Sequence, residues 1–460
     1  MTETPQILAN PDAAQFGAIA DFILSPDLTV PDDALRHCAT LLIDTLGVAV
    51  GAAQLEAGRI AREFAVDFHA AGSNHYAATM LFDGRRVSIP GAGWALATQI
   101  DNLDGHDGYN PTKGHIGCAV VPALLAFAEH APELSGRDAL TALAMSYEVA
   151  ARAGQALHAS VSDYHTSGAW NALGVAALGC RLSGDGADVL RQALGIAEYH
   201  GPRSQMMREI DNPTMLHDGS GMGALVGSSA TLMAQRGFTG APALTVEAPE
   251  AATFWADLGT TWTVGLNYIK PYPICRWAHA AMDALSHLMK TEGVTAQSVQ
   301  SVTVRTFAES ARLYDGVPTS TSQAQYGLHF NLAALLVHGH VGPEHISGAG
   351  LTDADVIALM PRITVTEDAR HSSRFPAGRW SDLDVTLKDG RTVQSGDVHA
   401  RGGPEAWMAD AEVEEKFHGM AAALDAHRRR AIWSTRDRIL EPGVRFSELS
   451  SLLYSAPETS

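Results

Sequence analysis

Apolar residues recur every three or four positions through most of the first 240 residues. This period predicts amphipathic helices that pack against one another. Ser135 followed by Asp138 is typical of a helix N-terminal cap with an acid in the first turn. Alanine and glycine are frequent along these stripes, so we expect close helix packing in a bundle. The predicted helices cover residues 13–24, 33–50, 93–100, 118–130, 138–157, 167–182, 187–199 and 221–235.

The pattern changes after residues 237–264, a loop-like stretch rich in Pro, Gly and Thr. Apolar residues then alternate, which predicts β-strands. The strand candidates are 299–307, 363–365 and 383–387, the last followed by an Asp-Gly hairpin turn, with a helix at 278–289 before them and a charged amphipathic helix at 408–436 after them. We therefore predict a mainly α protein with a second α+β domain: a helical bundle from 1–267 plus 401–460, and a smaller α+β domain from 268–400.

Composition narrows the class of protein. The chain has 460 residues, of which 46% are hydrophobic and 18% charged, so it is long enough for two globular domains. Its net charge of −19 argues against nucleic acid or an anionic membrane as a partner. The four cysteines are too scattered for a zinc ribbon or a disulfide framework, and the N-terminus lacks the pattern of a secretion signal. We expect a cytoplasmic protein that does not contact membranes.

The segment 101–115 contains the highest density of candidate acid/base side chains in the sequence. Three carboxylates, two histidines, a tyrosine, a lysine and three glycines stand there between two apolar helical patterns. Buried ions need partners, and glycines allow a tight turn in which acid/base groups converge. Asp104, Asp107 and His115 are suited to a general base and a carboxylate that orients it. The alternatives are a loop that caps the helix beginning near residue 116, and an Asp/His metal site.

Three further segments carry candidate groups. His165 precedes a Ser/Gly helix start, where backbone amides attract anions. In 203–223, arginines suited to clamping carboxylates precede a glycine-rich helix, although these glycines are equally explained by close helix packing. In 270–279, two prolines fix an extended segment flanked by Lys, Arg and His279, which suits either an anion pocket or a stiff hinge. The candidate substrate contacts are Asp107, Tyr109, Lys113, Arg208, His217, Lys270 and Arg276.

Several blocks of the chain, in order, resemble the MmgE/PrpD family, which includes 2-methylcitrate dehydratase, cis-aconitate decarboxylase and iminodisuccinate epimerase. The resemblance extends over nearly the whole length. It rests on residues 42–51, 113–122, 193–197, 237–242, 270–279 and 416–417. Decarboxylase relatives carry a threonine where this chain has Gly108, and many relatives carry a lysine in the segment that ends here at His217.

The resemblance implies a helical domain joined to a smaller α+β lid domain, a homodimer, and no metal or organic cofactor. It implies an active site in the cleft between the domains that acts on a small di- or tricarboxylate. By position, Asp104 and His115 match the acid/base loop of the family. His165 matches a histidine before the next helix, and Lys270 and His279 match the motif at the domain junction.

These residues suit abstraction of a proton α to a carboxylate, with cationic groups stabilising the enolate-like state. His115 could be the base, with Asp104 or Asp107 raising its proton affinity, and His165 or His279 could act on the other face. Loss of a hydroxyl would make the chain a dehydratase-like lyase, whereas reprotonation of the same carbon would make it an epimerase or isomerase. A catalytically inactive carboxylate-binding homologue remains a second alternative, and a metallohydrolase a third.

Overall fold

Helices dominate the computed structural model, which describes residues 13–456. The first part of the chain contains α1 (Ala13–Leu24), α2 (Asp32–Ala52), α3 (Glu56–Phe68), α4 (Ile89–Asp101), α5 (Gly117–Ala128), α6 (Gly136–Ser160), α7 (Gly168–Ser183), α8 (Ala187–His200), α9 (Met207–Asp211), α10 (Ser220–Ala234), α11 (Leu244–Glu247) and α12 (Ala252–Trp255). The second part contains α13 (His279–Glu292), α14 (Ala308–Ala311), α15 (Thr321–Gln325), α16 (Leu328–His338), α17 (Ala354–Leu359), α18 (Ala369–Ser372), α19 (Asp410–Met420), α20 (Ala426–Arg438) and α21 (Phe446–Ser450).

The centre of the bundle is α7, which packs against α5, α6, α8 and α10. Glycines allow these helices to approach closely: a Cβ atom on Gly223 would lie 2.8 Å from the carbonyl oxygen of Gly168. Ser135 caps α6, because its side chain accepts a hydrogen bond from the amide of Asp138. Most of the predicted helix boundaries lie within a few residues of the observed ones.

Within the described part of the chain, seven strands form two sheets. Strands β1 (Ala77–Thr79) and β2 (Arg86–Ser88) make a small antiparallel hairpin beside α4. The second sheet contains β3 (Val299–Thr306), β4 (Ile363–Glu367), β5 (Trp380–Leu387), β6 (Thr392–Gln394) and β7 (Val398–His399). Its order is β4-β3-β5-β6, β7 also pairs with β5, and only β3 and β4 run parallel. The predicted fold class, helical with a second α+β region, is confirmed.

One large hydrophobic core runs through both regions and includes side chains of α2, α6, α13 and β3. Helices α19 and α20 pack against α2, near the start of the chain. The assignment of residues 401–460 to the helical domain stays a prediction, with which this packing agrees. Among the described helices, only α2 is long and apolar enough to cross a bilayer, and 83% of its most apolar window is buried inside the protein.

Candidate active site

The loop between α4 and α5 pairs directly with the segment that begins at Tyr268. The amide of Gly108 donates to the carbonyl of Tyr268 at 3.1 Å, and the amide of Tyr268 donates back at 2.8 Å. Position 108 requires glycine, because a Cβ atom there would clash with the Tyr268 hydroxyl and lie 2.8 Å from His115 Nδ1. Asp104 and Lys113 adopt left-handed backbone conformations with φ of 55° and 54°. The structure thus brings segments 101–115 and 268–279 together.

Two buried lysines, Lys270 and Lys416, form hydrogen bonds to this loop from different parts of the chain. Lys270 pairs with the carboxylate of Asp104 and donates to its backbone carbonyl at 2.9 Å. Burial lowers the pKa of Lys270, but the charge and hydrogen bond of Asp104 together with Tyr268 raise it above its usual value, so the lysine stays charged. Lys416 reaches the loop from α19 and donates at 2.7 Å to both Asp44 of α2 and the carbonyl of Gly105. Asp104 and Lys270, which the sequence analysis selected separately as site residues, therefore form an ion pair, and Asp104 also lines the pocket described below.

His115 is a neutral imidazole with a defined tautomer. Its Nδ1 lies 2.6 Å from the backbone carbonyl of Asp107, and a carbonyl can only accept, so Nδ1 carries the proton. The Nε2 lone pair therefore points the other way, towards Asp218 Oδ2 at 3.4 Å. Burial, followed by the charge of Lys270, lowers the pKa of His115 well below its usual value. The ring is thus available as a proton acceptor.

Asp218 faces His115 and is held by Ser167 at the start of α7. The hydroxyl of Ser167 donates to Asp218 Oδ1 at 2.9 Å, and the amide of His115 donates to the same hydroxyl at 2.9 Å. Burial, with the nearby charge of Asp101, raises the pKa of Asp218 to about 7. Asp218 is a carboxyl group that can gain or lose a proton near neutral pH, next to the lone pair of His115.

These groups line an enclosed pocket that cationic side chains also line. Its volume is about 20 Å³, enough for about one water molecule. Besides His115 and Asp218, the lining residues are Asp104, Lys113, Tyr164, Met206, Ile210, Tyr268, Cys275, Arg276, Trp277, Tyr326 and Arg379. The helical region supplies the acid/base pair, and the second region supplies both arginines.

Both guanidinium groups are almost fully buried and, among residues 13–456, neither forms a salt bridge. Arg276 donates to the carbonyls of Ala400 and Arg401 and stacks over the Tyr268 ring at 4.1 Å. Arg379 donates to the carbonyl of Pro376 at 2.7 Å. The Nε atoms of both arginines are buried without a hydrogen-bond partner in the described chain. Burial lowers the pKa of Arg276 only to about 10, so this side chain remains a cation.

His279 contacts Arg276 from behind the pocket. Its Nε2 donates to the carbonyl of Ile274 at 3.1 Å, which leaves Nδ1 to accept from Arg276 Nη1 at 3.5 Å. His279 is fully buried and does not line the enclosed pocket. The geometry gives it a positioning contact with Arg276, and its predicted role as an acid/base group is still a prediction.

Asp107, Tyr109 and His165 lie around the pocket without lining it. Asp107 touches His115 through its backbone carbonyl, not through its carboxylate, which accepts weakly from the first amide of α5 at 3.4 Å. The capping alternative thus applies to Asp107, and the carboxylate facing His115 is that of Asp218. The Tyr109 hydroxyl accepts from Gln155 at 3.3 Å. The amide of His165 donates to Nε2 of His158 at 3.3 Å. The preceding residue, Tyr164, lines the pocket.

Arg208 and His217 line a different, more open cavity of about 600 Å³. Asp101 and Glu209 also contribute to its walls. His217 has a left-handed backbone with φ of 46°, and burial lowers the pKa of its ring to about 4. His217 and Asp218 are therefore neighbours in sequence that line different cavities. The structure does not bring Arg208 or His217 into the enclosed pocket.

Three groups of side chains in the described chain have donor atoms close enough to share a metal ion. Near the pocket this group is Asp101, His106 and Cys118, not the predicted loop carboxylates with His115. His371, Asp382 and Asp397 form a second group, in which Arg370 pairs with both carboxylates. The third group lies on the surface after α16.

Sequence reasoning did not single out five pocket residues with titratable side chains: Tyr164, Asp218, Tyr268, Tyr326 and Arg379. Three of them are direct or near neighbours of predicted residues, because Tyr164 precedes His165, Asp218 follows His217 and Tyr268 comes two before Lys270. Closeness in sequence to a predicted site residue was therefore the signal that could have identified these three residues. Arg379 and Tyr326 stand in segments without any local motif, and only the tertiary fold brings them to the site.

The chain thus combines a helical region and a smaller α+β region, and one pocket is lined by His115, Asp218 and two buried arginines. The profile of the MmgE/PrpD N-terminal domain matches residues 17–256, and that of the MmgE/PrpD C-terminal domain matches residues 272–439. The chain therefore belongs to the MmgE/PrpD family. Members are typically lyases or related enzymes, which supports a dehydratase-like or related enzyme in general. A comparison with curated proteins finds no match.

Proposed function

We propose that this protein is a cofactor-independent, dehydratase-like lyase that removes a proton α to a carboxylate of a small di- or tricarboxylate. The observation that carries the proposal is the neutral His115, whose Nε2 lone pair and Asp218 share one enclosed pocket with two buried, unpaired arginines. A base and an anion-binding wall in one enclosed space are the two requirements of carbon-acid chemistry.

The buried arginines account for the substrate class. A buried charge without a partner costs several kcal/mol, so Arg276 and Arg379 would gain from an anionic ligand. Carboxylates match guanidinium groups in a bidentate arrangement. Two arginines, with Lys113 at the rim, are suited to a substrate that carries at least two carboxylates. The same cations would stabilise the negative charge that grows on the enolate-like intermediate.

Asp218 and His115 would act together on the α proton. His115 Nε2 accepts the proton, and the resulting imidazolium is stabilised by the adjacent carboxylate once Asp218 is ionised. The proton acceptor is therefore paired with Asp218, where the sequence suggested Asp104 or Asp107. Asp104 instead keeps Lys270 charged beside the pocket.

A tyrosine hydroxyl could supply the second proton transfer. Tyr164, Tyr268 and Tyr326 line the pocket, and burial raises the pKa of each, so all three hold their protons at neutral pH. We propose that one of them protonates the departing hydroxyl. Protonation of the original carbon instead would give the epimerase alternative with the same groups.

Substrate entry requires the pocket to open, since about 20 Å³ cannot hold a dicarboxylate. An adjoining cleft of about 430 Å³ shares Lys113, Tyr164 and Trp277 with the pocket. Lys113 lies over the Tyr164 ring at 4.4 Å. We propose that these three side chains form the gate through which the substrate passes, as in enzymes whose closure excludes water.

An NMR screen in deuterated water tests the proposal. Hydroxy-, unsaturated and amino-dicarboxylates are incubated with the protein, and turnover and deuterium at the α carbon are measured. We expect loss of water with deuterium exchange for at least one compound. Exchange with inversion but without loss of water would establish the epimerase, and binding without exchange would establish the inactive homologue.

Arg379→Gln in the same screen tests the binding wall, with Arg374→Gln as the control, because Arg374 pairs with Asp397 on the surface. Losing a charged hydrogen bond of about 1.5–3 kcal/mol should raise the KM for a dicarboxylate by about 10- to 100-fold. An unchanged KM in Arg379→Gln would remove this arginine from substrate binding.

A further inference from the structure

A compact group of histidines stands on the loop that follows α16, outside the candidate active site. Gly339, with φ of 77°, ends the helix, and in the loop after it His340 and His345 lie beside Glu344. The His345 ring stacks on His338 at 4.3 Å and meets the His340 ring edge-on at 4.7 Å. His338 Nε2 forms a hydrogen bond with Asp353 Oδ2 at 3.0 Å. The rings of His340 and His345 each lie 3.3 Å from the Glu344 carboxylate.

The hydrogen bonds of His340 fix where its lone pair points. Its Nδ1 lies 3.2 Å from the backbone carbonyl of His338, which can only accept, so in the neutral ring this nitrogen carries the proton. Its Nε2 is then an acceptor, yet it lies 3.3 Å from Glu344 Oε1, which is also an acceptor. Two acceptors at this distance can share a cation or a proton between them.

The same reasoning applies to His345. The backbone amide of Gly342 donates to His345 Nδ1 at 3.0 Å, so this nitrogen carries no proton. It nevertheless lies 3.3 Å from the same carboxylate oxygen, Glu344 Oε1. Two imidazole nitrogens therefore each lie 3.3 Å from the same carboxylate oxygen, Glu344 Oε1.

The spacing of these atoms fits a transition metal. Zinc bonds of about 2.0–2.1 Å in a tetrahedron place neighbouring ligand atoms about 3.3–3.4 Å apart. Glu344 Oε1 lies 3.3 Å from a nitrogen of each histidine, and the three ligand groups lie within 4.8 Å of one another. The bond from His340 Nδ1 to a backbone carbonyl is also the usual means by which a metal-binding histidine is oriented.

We propose that His340, Glu344 and His345 form a surface binding site for a divalent first-row transition metal, with zinc as the reference ion. Two imidazoles and one carboxylate suit zinc, nickel or copper better than calcium or magnesium, which prefer all-oxygen ligands. The site supplies three protein ligands, and the ion must displace the Gly342 hydrogen bond. We therefore expect weaker binding than at closed four-ligand zinc sites.

The loop that carries these ligands contacts the helical region. A Cβ atom on Gly51 of α2 would lie 3.5 Å from the ring of Pro343. A metal that binds only the folded state stabilises it by mass action. The ion would hold the loop in the conformation in which it packs against α2, and zinc should raise the temperature of unfolding.

Calorimetric titration of the full, tag-free chain with zinc after treatment with a chelator tests the site. The variants are His340→Ala and Glu344→Gln, with His287→Ala as the control, since His287 is an exposed histidine on α13. We expect one equivalent to bind to the wild type and to His287→Ala, and at least tenfold weaker binding to the other two. The increase in the unfolding temperature should follow the same pattern. Equal binding to all four proteins, or none to the wild type, would overturn the proposal.

Cobalt distinguishes this site from the buried group of Asp101, His106 and Cys118. Cobalt bound to a cysteine thiolate shows a sulfur-to-metal charge-transfer absorption, which nitrogen and oxygen ligands do not produce. We expect the cobalt spectrum to lack this band and to be lost in His340→Ala. A thiolate band that persists in His340→Ala would place the metal at Cys118 and contradict the surface site.

Discussion

The pairing of His115 with Asp218 depends on single atoms and hydrogen bonds. Asp107 fixes the tautomer through its carbonyl, and Ser167 holds Asp218 in place. The sequence predicted His115 as a base whose proton affinity Asp104 or Asp107 raises, and the structure shows that Asp107 contacts this ring through its backbone carbonyl. Which oxygen of a residue faces a histidine depends on the path of the folded loop, and spacing along the chain does not contain this information.

Asp107 provides a test of burial at the residue scale. Burial, together with the charge of Asp44, raises the pKa of Asp107 from 3.8 to about 7. An acid with a raised pKa in the folded state stabilises the protein below pH 3.8, and this contribution is lost as the pH rises through about 7. Ionisation of Asp107 should therefore lower the free energy of unfolding of the wild type by at most about 4 kcal/mol between pH 4 and pH 7. Asp107→Asn cannot ionise and should lose this part of the pH dependence.

Urea unfolding at several pH values measures this difference. Asp67→Asn, at an exposed position on α3, serves as the control and should keep the wild-type pH dependence. Identical pH profiles for wild type and Asp107→Asn would mean that Asp107 is not a buried acid.

At the scale of elements, the periodicity of apolar residues predicted the long helices well. The range 13–24 coincides with α1, and 187–199 differs from α8 by one residue. Helix α3 is not among the predictions, because its buried residues are the small Ala57, Gly58, Ala61 and Ala65 while large apolar residues point outward. The hairpin strands β1 and β2 have three residues each and are too short to show alternation. The charged tail predicted as one helix consists of α19 and α20.

Gly108 tests the junction between the loop and the segment beginning at Tyr268. A side chain at this position would push against the Tyr268 hydroxyl and His115. Gly108→Ala should cost about 1–3 kcal/mol of stability and displace the base. Catalytic rate should fall more than the population of folded protein.

The matched control is Gly105→Ala in the same loop, whose Cβ atom would have its nearest neighbour at 3.3 Å, on Val48. Thermal unfolding and turnover are measured for both variants. Gly108→Ala with wild-type turnover would show that the tight contact is not needed for catalysis.

At the scale of the whole molecule, the ion pair between Asp44 and Lys416 connects α2 with α19 and the active-site loop. Burial raises the pKa of Asp44 and lowers that of Lys416 in spite of their attraction, so desolvation outweighs the ion pair. Lys416→Met should destabilise the protein by about 3–5 kcal/mol, because it leaves a buried acid without its partner.

A double-mutant cycle checks this interpretation. The variant with both Asp44→Asn and Lys416→Met should recover part of the loss, as measured by urea unfolding. Strictly additive losses would show that the two side chains do not interact.

The homodimer predicted from the sequence remains a prediction, which an exposed apolar surface on α3 supports. Phe64 and Phe68 are 43% and 70% exposed, and Phe64 also contacts Trp94 at 5.2 Å. Clustered apolar groups of this kind mark interaction sites. We expect Phe68→Glu to convert a dimer into a monomer in light-scattering measurements, whereas Val317→Glu, at another exposed position, should not.

The central claim is that His115 removes a proton from a carbon next to a carboxylate. The most direct measurement is the rate of deuterium exchange into the dicarboxylate that the NMR screen identifies, for wild type, His115→Gln and the exposed-site control His200→Ala. Losing a general base should slow exchange by about 10²- to 10⁴-fold in His115→Gln, with wild-type rates in His200→Ala. Exchange at the wild-type rate in a folded His115→Gln variant would contradict the account.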